Sequence, residues 1–244
     1  MQTLKFSDVL YGTAQLVGLD RDSLPTHFFK QARDLANQRL AVAWDTERWP
    51  DLVRVASATV TTASDISTAP YPTNPEAGMI LQVYQKDPRA TTNAIPVGYS
   101  LYDTGTAQQI VLQDNDTPVY VEYKISRPNL TGDTYSASTD YAEDNQVYYS
   151  ATVNGITTGQ FYDMTTDAGA GTVPTDTSKW TVVSIPKIFE NYLIRGIYAD
   201  YLRANGQLEI AALEDRTAEA FLTVESDKVY RQQGQVKKLN FIGY

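Results

Sequence analysis

Side chains able to do acid–base, nucleophilic or metal chemistry are few and scattered in this sequence. His27 is the one histidine among 244 residues, and there is no cysteine. It stands beside Phe28 and Phe29 where a helical pattern begins, and the neighbouring residues supply neither the partner nor the pocket that a general base needs. A Ser-His-Asp triad would have to use this histidine, and no Gly-x-Ser-x-Gly turn is present. Without cysteine there are no disulfides, thiolate metal sites or cysteine nucleophiles, and one histidine makes a zinc site improbable. Neither a Gly-x4-Gly-Lys-Ser/Thr phosphate loop nor a helix-opening Gly-x-Gly-x-x-Gly occurs. Two acidic clusters remain, Asp114-Asn115-Asp116 and Asp140 with Glu143 and Asp144. The first lacks the downstream glycine and glutamate of a calcium loop, and both read as turn residues between strands. A paired-carboxylate glycosidase could draw its acids from distant parts of the chain, but nothing points to one. The expectation is a protein that is not an enzyme and holds no cofactor and no metal.

Charge narrows the class of partner. The formal net charge is −9 and the isoelectric point near 4.6, which opposes a sequence-independent grip on nucleic-acid phosphates. An acidic wall is nevertheless compatible with lining a passage through which DNA slides without sticking. No apolar run approaches the ~18 residues of a membrane span. The start, Met1 to Phe6, has no signal-peptide apolar core, so synthesis in the cytoplasm is expected. Seventeen tyrosines suit half-buried strands and protein interfaces, since the ring packs while the hydroxyl stays wet.

The elements that must carry these residues fall into zones of different period. Ser7 to Leu16 reads as a short helix stopped by Gly18, and Pro25 opens a longer one. The second helix has an apolar face of Phe28, Ala32, Leu35, Ala36, Leu40, Ala43 and Trp44, spaced by three and four. From Val53 the period switches to two. Short strands are expected from Val53 and around Met79–Tyr84, Val97–Tyr102, Gln109–Leu112 and Val119–Ile125, with a proline-rich connection at Pro70, Pro72 and Pro75. The stretch from 127 to 184 keeps β character but is dominated by Tyr, Thr, Gly and Asp. Helical period returns after Pro186, with a stripe of Phe189, Tyr192, Leu193, Ile197 and Tyr201 ended by Asn205-Gly206. A more polar helix follows from about Gln207 to Gln233, with Ile210, Leu213, Ala220, Phe221 and Val224 as its apolar positions. The expected fold is α+β: N- and C-terminal helices bundled together, a central antiparallel β domain and a small inserted β module. In residue numbers these are 1–51 with 185–244, then 52–132, then 133–184.

Two stretches carry resemblances. Ile185-Pro186-Lys187-Ile188-Phe189-Glu190-Asn191-Tyr192, Tyr198 to Gln207 and Tyr230-Arg231-Gln232-Gln233-Gly234-Gln235, together with Phe6 to Arg54, resemble the head–tail connector (adaptor) proteins of tailed-bacteriophage necks. That resemblance covers under half the chain. It implies a structural virion protein whose helical bundle docks on the portal protein. It also implies a homo-oligomeric ring, usually twelvefold, with a stopper or tail-terminator protein beyond and DNA passing through the channel without sequence-specific binding. No membrane is involved, and the protein would reside in the virion neck after synthesis in the host bacterial cytoplasm. The large β zone departs from the smallest adaptors and keeps a tail-completion role open. Within the module, Tyr141, Val147, Tyr148, Phe161, Tyr162, Pro174 and Trp180 follow an order that looks like small chitin-binding-type carbohydrate-binding modules. Tyr148, Tyr162 and Trp180 are therefore candidate aromatics, either for the module's core or for stacking on a glycan. The alternative function they support is a glycan-binding, host-surface decoration of the virion.

A closed ring needs one surface of the subunit to meet a different surface of the next. The basic-then-apolar segment from Val236 to Tyr244 is the sharpest candidate, with Leu239, Phe241, Ile242 and Tyr244 as expected partner contacts. It could instead fold back on its own bundle; the sequence favours neither.

Overall fold

The computed structural model describes residues 2–63, 65–105, 107–113, 118–167 and 169–232. The architecture is α+β, with two N-terminal and two C-terminal helices flanking a central region of largely antiparallel sheets. The chain divides into two compact units, residues 48–127 and residues 1–47 with 128–244.

In the unit 48–127, eight strands form two four-stranded sheets among the described residues. Strand β1 (Val53–Ala58) runs on through Thr59 and Val60 into β2 (Thr61–Ala63). In the same way β5 (Pro96–Val97) bends at Gly98 into β6 (Tyr99–Asp103). One sheet has the order β1, β8 (Val119–Ile125), β4 (Ala77–Tyr84), β5; the other has β2, β3 (Ile66–Pro70), β7 (Gln108–Leu112), β6. Because the two bent strands belong to both sheets, the ladder closes on itself as a six-stranded antiparallel barrel. Its interior is aliphatic, built on Ile80, Val83, Ile110, Leu112, Val119 and Val121 with the ring of Tyr123. Strand β8 has hydrogen-bonded neighbours on both sides, and Lys124 is buried there alongside the inward residues.

In the second unit, α1 (Phe6–Val17) ends at Gly18 and α2 (Thr26–Thr46) follows Pro25. The sheet has the order β12 (Trp180–Val182), β11 (Ile156–Met164), β10 (Gln146–Val153), β9 (Asp133–Thr134); only the short β9 pairs in parallel. Strands β10 and β11 join through Asn154-Gly155, both at positive φ, the conformation a two-residue hairpin turn requires. Two helices complete the unit, α3 (Glu190–Ala204) and α4 (Leu208–Gln232).

Alternation decides how this sheet is used. Tyr148 and Phe161 are cross-strand partners on one face, and they meet Phe6 of α1 and Phe29 of α2 in a box of four rings. The Phe6–Phe161 and Phe29–Tyr148 centroids are each 4.9 Å apart. Although the texture of residues 133–184 sets them apart in the sequence, their sheet shares this core with the helices. Residues 130–133 are clasped by the polar side of α2. Asn37 exchanges two 2.8 Å hydrogen bonds with the backbone of Leu130, and Arg33 donates to the carbonyls of Thr131 and Gly132. The first residues are held to the C-terminal helices as well: the Leu4 amide donates to Ile185 and the Lys187 amide to Gln2.

Candidate functional site

Helix α4 is the most informative element of the second unit, because it presents three distinct sides. Toward the bundle it buries Ala211, Ala218, Leu222 and Ser226, spaced by four and seven, so the close approach to α3 is made by small side chains. Asp215 lies on the same side and enters a network that ties three helices together. Arg39 of α2 donates from Nε and Nη2 to the two carboxylate oxygens of Asp200 on α3 (2.6 and 2.7 Å), and from Nη2 to Asp215 (2.5 Å). Arg203 donates to the same two carboxylates. Gly196 leaves the room Arg39 needs, since a Cβ there would lie 2.9 Å from the arginine Cδ. Burial works against the Arg39 charge, but hydrogen bonds and attraction from Asp200 and Asp215 outweigh it and raise the guanidinium pKa. Two cations and two anions meet here, so the network balances its own charge and has the character of a structural clamp.

The opposite side of α4 is apolar and uncovered. Ile210, Leu213, Phe221 and Val224 are 50%, 62%, 37% and 51% exposed. With Thr217 and Ala220 they follow a three–four spacing down a single side of the helix, the geometry of a seam that receives another helix or strand. These are the residues the sequence suggests as the helix's apolar positions; the fold turns them outward and packs α4 through alanines instead. Nothing in the sequence marks the Arg39–Asp200–Asp215–Arg203 network, apart from the i,i+3 spacing of Asp200 and Arg203.

The module aromatics fall on different sides of their sheet. Tyr148 is buried in the four-ring box, with its hydroxyl lacking a hydrogen-bond partner among the described residues. Trp180 is buried on the other face with Val147 and Met164. Tyr162 is half-buried beside them. That outer face continues as a run of ring contacts through Tyr141, Tyr135 and Tyr149, each partly exposed, with successive centroids 5.5 to 6.3 Å apart from Trp180 to Tyr162. The tail positions Leu239, Phe241, Ile242 and Tyr244 lie outside the described residues, as does Asp114-Asn115-Asp116.

His27 is exposed at the start of α2. Asp140, in the second acidic cluster, accepts the Ala170 amide at 2.6 Å, as a loop-capping carboxylate does. Among the described residues no group of three His, Asp or Glu is arranged to hold a metal ion. No helix among them is long and apolar enough to cross a membrane. No protein-family model matches the chain, and no curated protein matches it.

Proposed function

We propose that this protein is a non-catalytic assembly subunit, a head–tail connector of a tailed-phage neck that forms a homo-oligomeric ring between the portal and the tail proteins. The observation that carries the reading is the outward apolar seam of α4. Ile210, Leu213, Phe221 and Val224 are costly to leave in water, at roughly 1.5–3 kcal/mol for each large side chain that could be buried. A second chain is the natural cover for such a row, and repetition of one heterologous contact around an axis closes a ring. The net charge of −9 suits a channel wall that repels DNA instead of gripping it. The resemblance of the helical ends to neck adaptors supplies the location. Immunogold labelling of particles from the phage that encodes the chain tests the proposal directly. Label at the single tail vertex supports it; label absent from particles, or spread over capsid or fibres, overturns it.

A second reading, glycan binding, is favoured by the partly exposed rings Tyr135, Tyr141, Tyr149 and Tyr162 on the outer face of the module sheet. Two of the three aromatics the sequence singles out, Tyr148 and Trp180, are buried and unable to stack on a sugar. Binding of the full-length chain to chito-oligosaccharides, lost on Tyr149→Ala, would favour this reading over the connector.

A further inference from the structure

The third side of α4 faces α2 across a groove of about 670 Å³. Its apolar surface comes from Leu222 and Tyr192, both buried, and from the exposed Val42. Its rim is acidic, with Glu47, Glu219 and Asp227 along the two helices. Arg39 also lines it, but that charge is already matched by Asp200 and Asp215. One end is fastened where Glu47 accepts hydrogen bonds from Ser226 Oγ (3.1 Å) and from the Tyr230 hydroxyl (2.8 Å to the nearer oxygen). An apolar floor under an acidic rim fits a segment that carries lysines beside large apolar residues.

The chain contains such a segment. Val236-Lys237-Lys238-Leu239-Asn240-Phe241-Ile242 follows α4, separated from its last residue, Gln232, by Gln233, Gly234 and Gln235. Tyr230, which lines the groove, is only two residues before that helix end. Seven extended residues reach about 23 Å at ~3.3 Å each. The α4 wall from Tyr230 back to Glu219 measures about 17 Å at ~1.5 Å per helical residue. A three-residue linker with glycine at its centre permits the reversal and holds the segment near the groove at a local concentration on the order of millimolar.

We infer that residues 236–242 fold back along the α2–α4 groove of their own chain. Lys237 and Lys238 lie against the acidic rim, and Leu239, Phe241 and Ile242 cover Leu222 and Val42. This is independent of the connector reading: the groove and its occupant belong to one chain, whatever that chain assembles into. It leaves the outer seam of α4 free, because the groove and the seam lie on different sides of the helix.

The absence of native cysteine makes the test clean. The full-length Thr223→Cys/Leu239→Cys variant is oxidised at low protein concentration and run without reductant, beside Val224→Cys/Leu239→Cys, whose helix position faces away from the groove. The expected result is an intramolecular disulfide between positions 223 and 239, mapped by peptide mass, forming about tenfold faster than in the Val224 control. Raising the salt toward ~1 M should slow it, as screening removes the lysine–rim attraction. Both positions are on an exposed helix surface or beyond the helix, and unchanged circular dichroism verifies that each variant is folded. A folded variant that forms no such bond, that forms it no faster than the control, or that links only between two chains overturns the inference. Linking between chains would assign the groove to a neighbouring copy's tail.

Discussion

The inner and outer sides of α4 invert the usual arrangement of a surface helix. Its inner side packs on the bundle through Ala211, Ala218 and Ser226, with Leu222 as its one large apolar contact and Asp215 held by two arginines. Its outer side carries Ile210, Leu213, Phe221 and Val224 toward water. A monomer built only for stability would do the reverse, because large apolar side chains contribute most when buried. The contrast separates two tasks along one helix: small residues and charge balance set the distance and register of α4 against its own chain, while the large residues are kept for another surface.

The strongest way to break the inner side is to remove the cation that both carboxylates share. Arg39→Met leaves Asp200 and Asp215 half-buried with only the more exposed Arg203 between them. A loss of about 3 kcal/mol is expected, at the low end for a broken buried pair because the site is not fully dry. Urea unfolding of the variant beside the parent measures it. A loss under about 0.5 kcal/mol would mean the network is solvated in practice and that the small residues alone hold α4.

Next comes the spacing itself. Ala218 is fully buried on the side toward the bundle, so Ala218→Leu inserts three heavy atoms where the helices are closest. Overpacking of this kind costs about 2 kcal/mol. The same exchange at the exposed Ala220 should change stability by less than about 0.5 kcal/mol. Paired thermal melts of the two variants give the comparison directly, and equal losses would refute the division between the two sides.

How far this was legible from sequence differs by element, for physical reasons. The three–four spacing of Phe28, Ala32, Ala36, Leu40, Ala43 and Trp44 places the buried side of α2, because a single wide apolar stripe has only one interior to face. Strands from β4 to β8 likewise follow from their period of two. In α4 the same reasoning names the right residues and puts them on the wrong side: periodicity reports where apolar residues align, not which aligned side meets the protein's own core. Ala211 and Ala218 carry little hydrophobic signal, yet they face α3. Strand β3 is hidden in a stretch punctuated by Pro70 and Pro72, and it exists because Ser67 to Pro70 pair with Gln109 to Leu112, some forty residues away. The Arg39 network joins three helices from distant parts of the chain, and no local pattern encodes it.

A smaller effect probes the border between the two sides. Arg195 of α3 reaches Glu214 of α4 at 3.0 Å, with the arginine side chain 35% exposed. Partial exposure screens this pair, so Glu214→Gln should cost only about 0.5 kcal/mol and less in high salt. A chemical-denaturation series at two ionic strengths separates it from the salt-resistant Arg39 network.

The outer side should show the smallest change in stability and the clearest change in assembly. Leu213→Asp combined with Val224→Asp puts two charges on a surface that is already wet in the isolated chain. The unfolding free energy should therefore stay within about 0.5 kcal/mol of the parent. If the seam joins copies, burying those carboxylates against an apolar partner carries a desolvation cost of several kcal/mol, enough to shift self-association beyond reach at micromolar concentration. Native mass spectrometry and analytical ultracentrifugation of the two proteins, with an equal fold verified by circular dichroism, read this out. The expected pattern is intact stability with lost assembly. A double variant that assembles like the parent would remove the seam from the interface, whereas one that unfolds would show that the outer residues serve the chain's own core after all. The two sides of α4 would then no longer be different in kind.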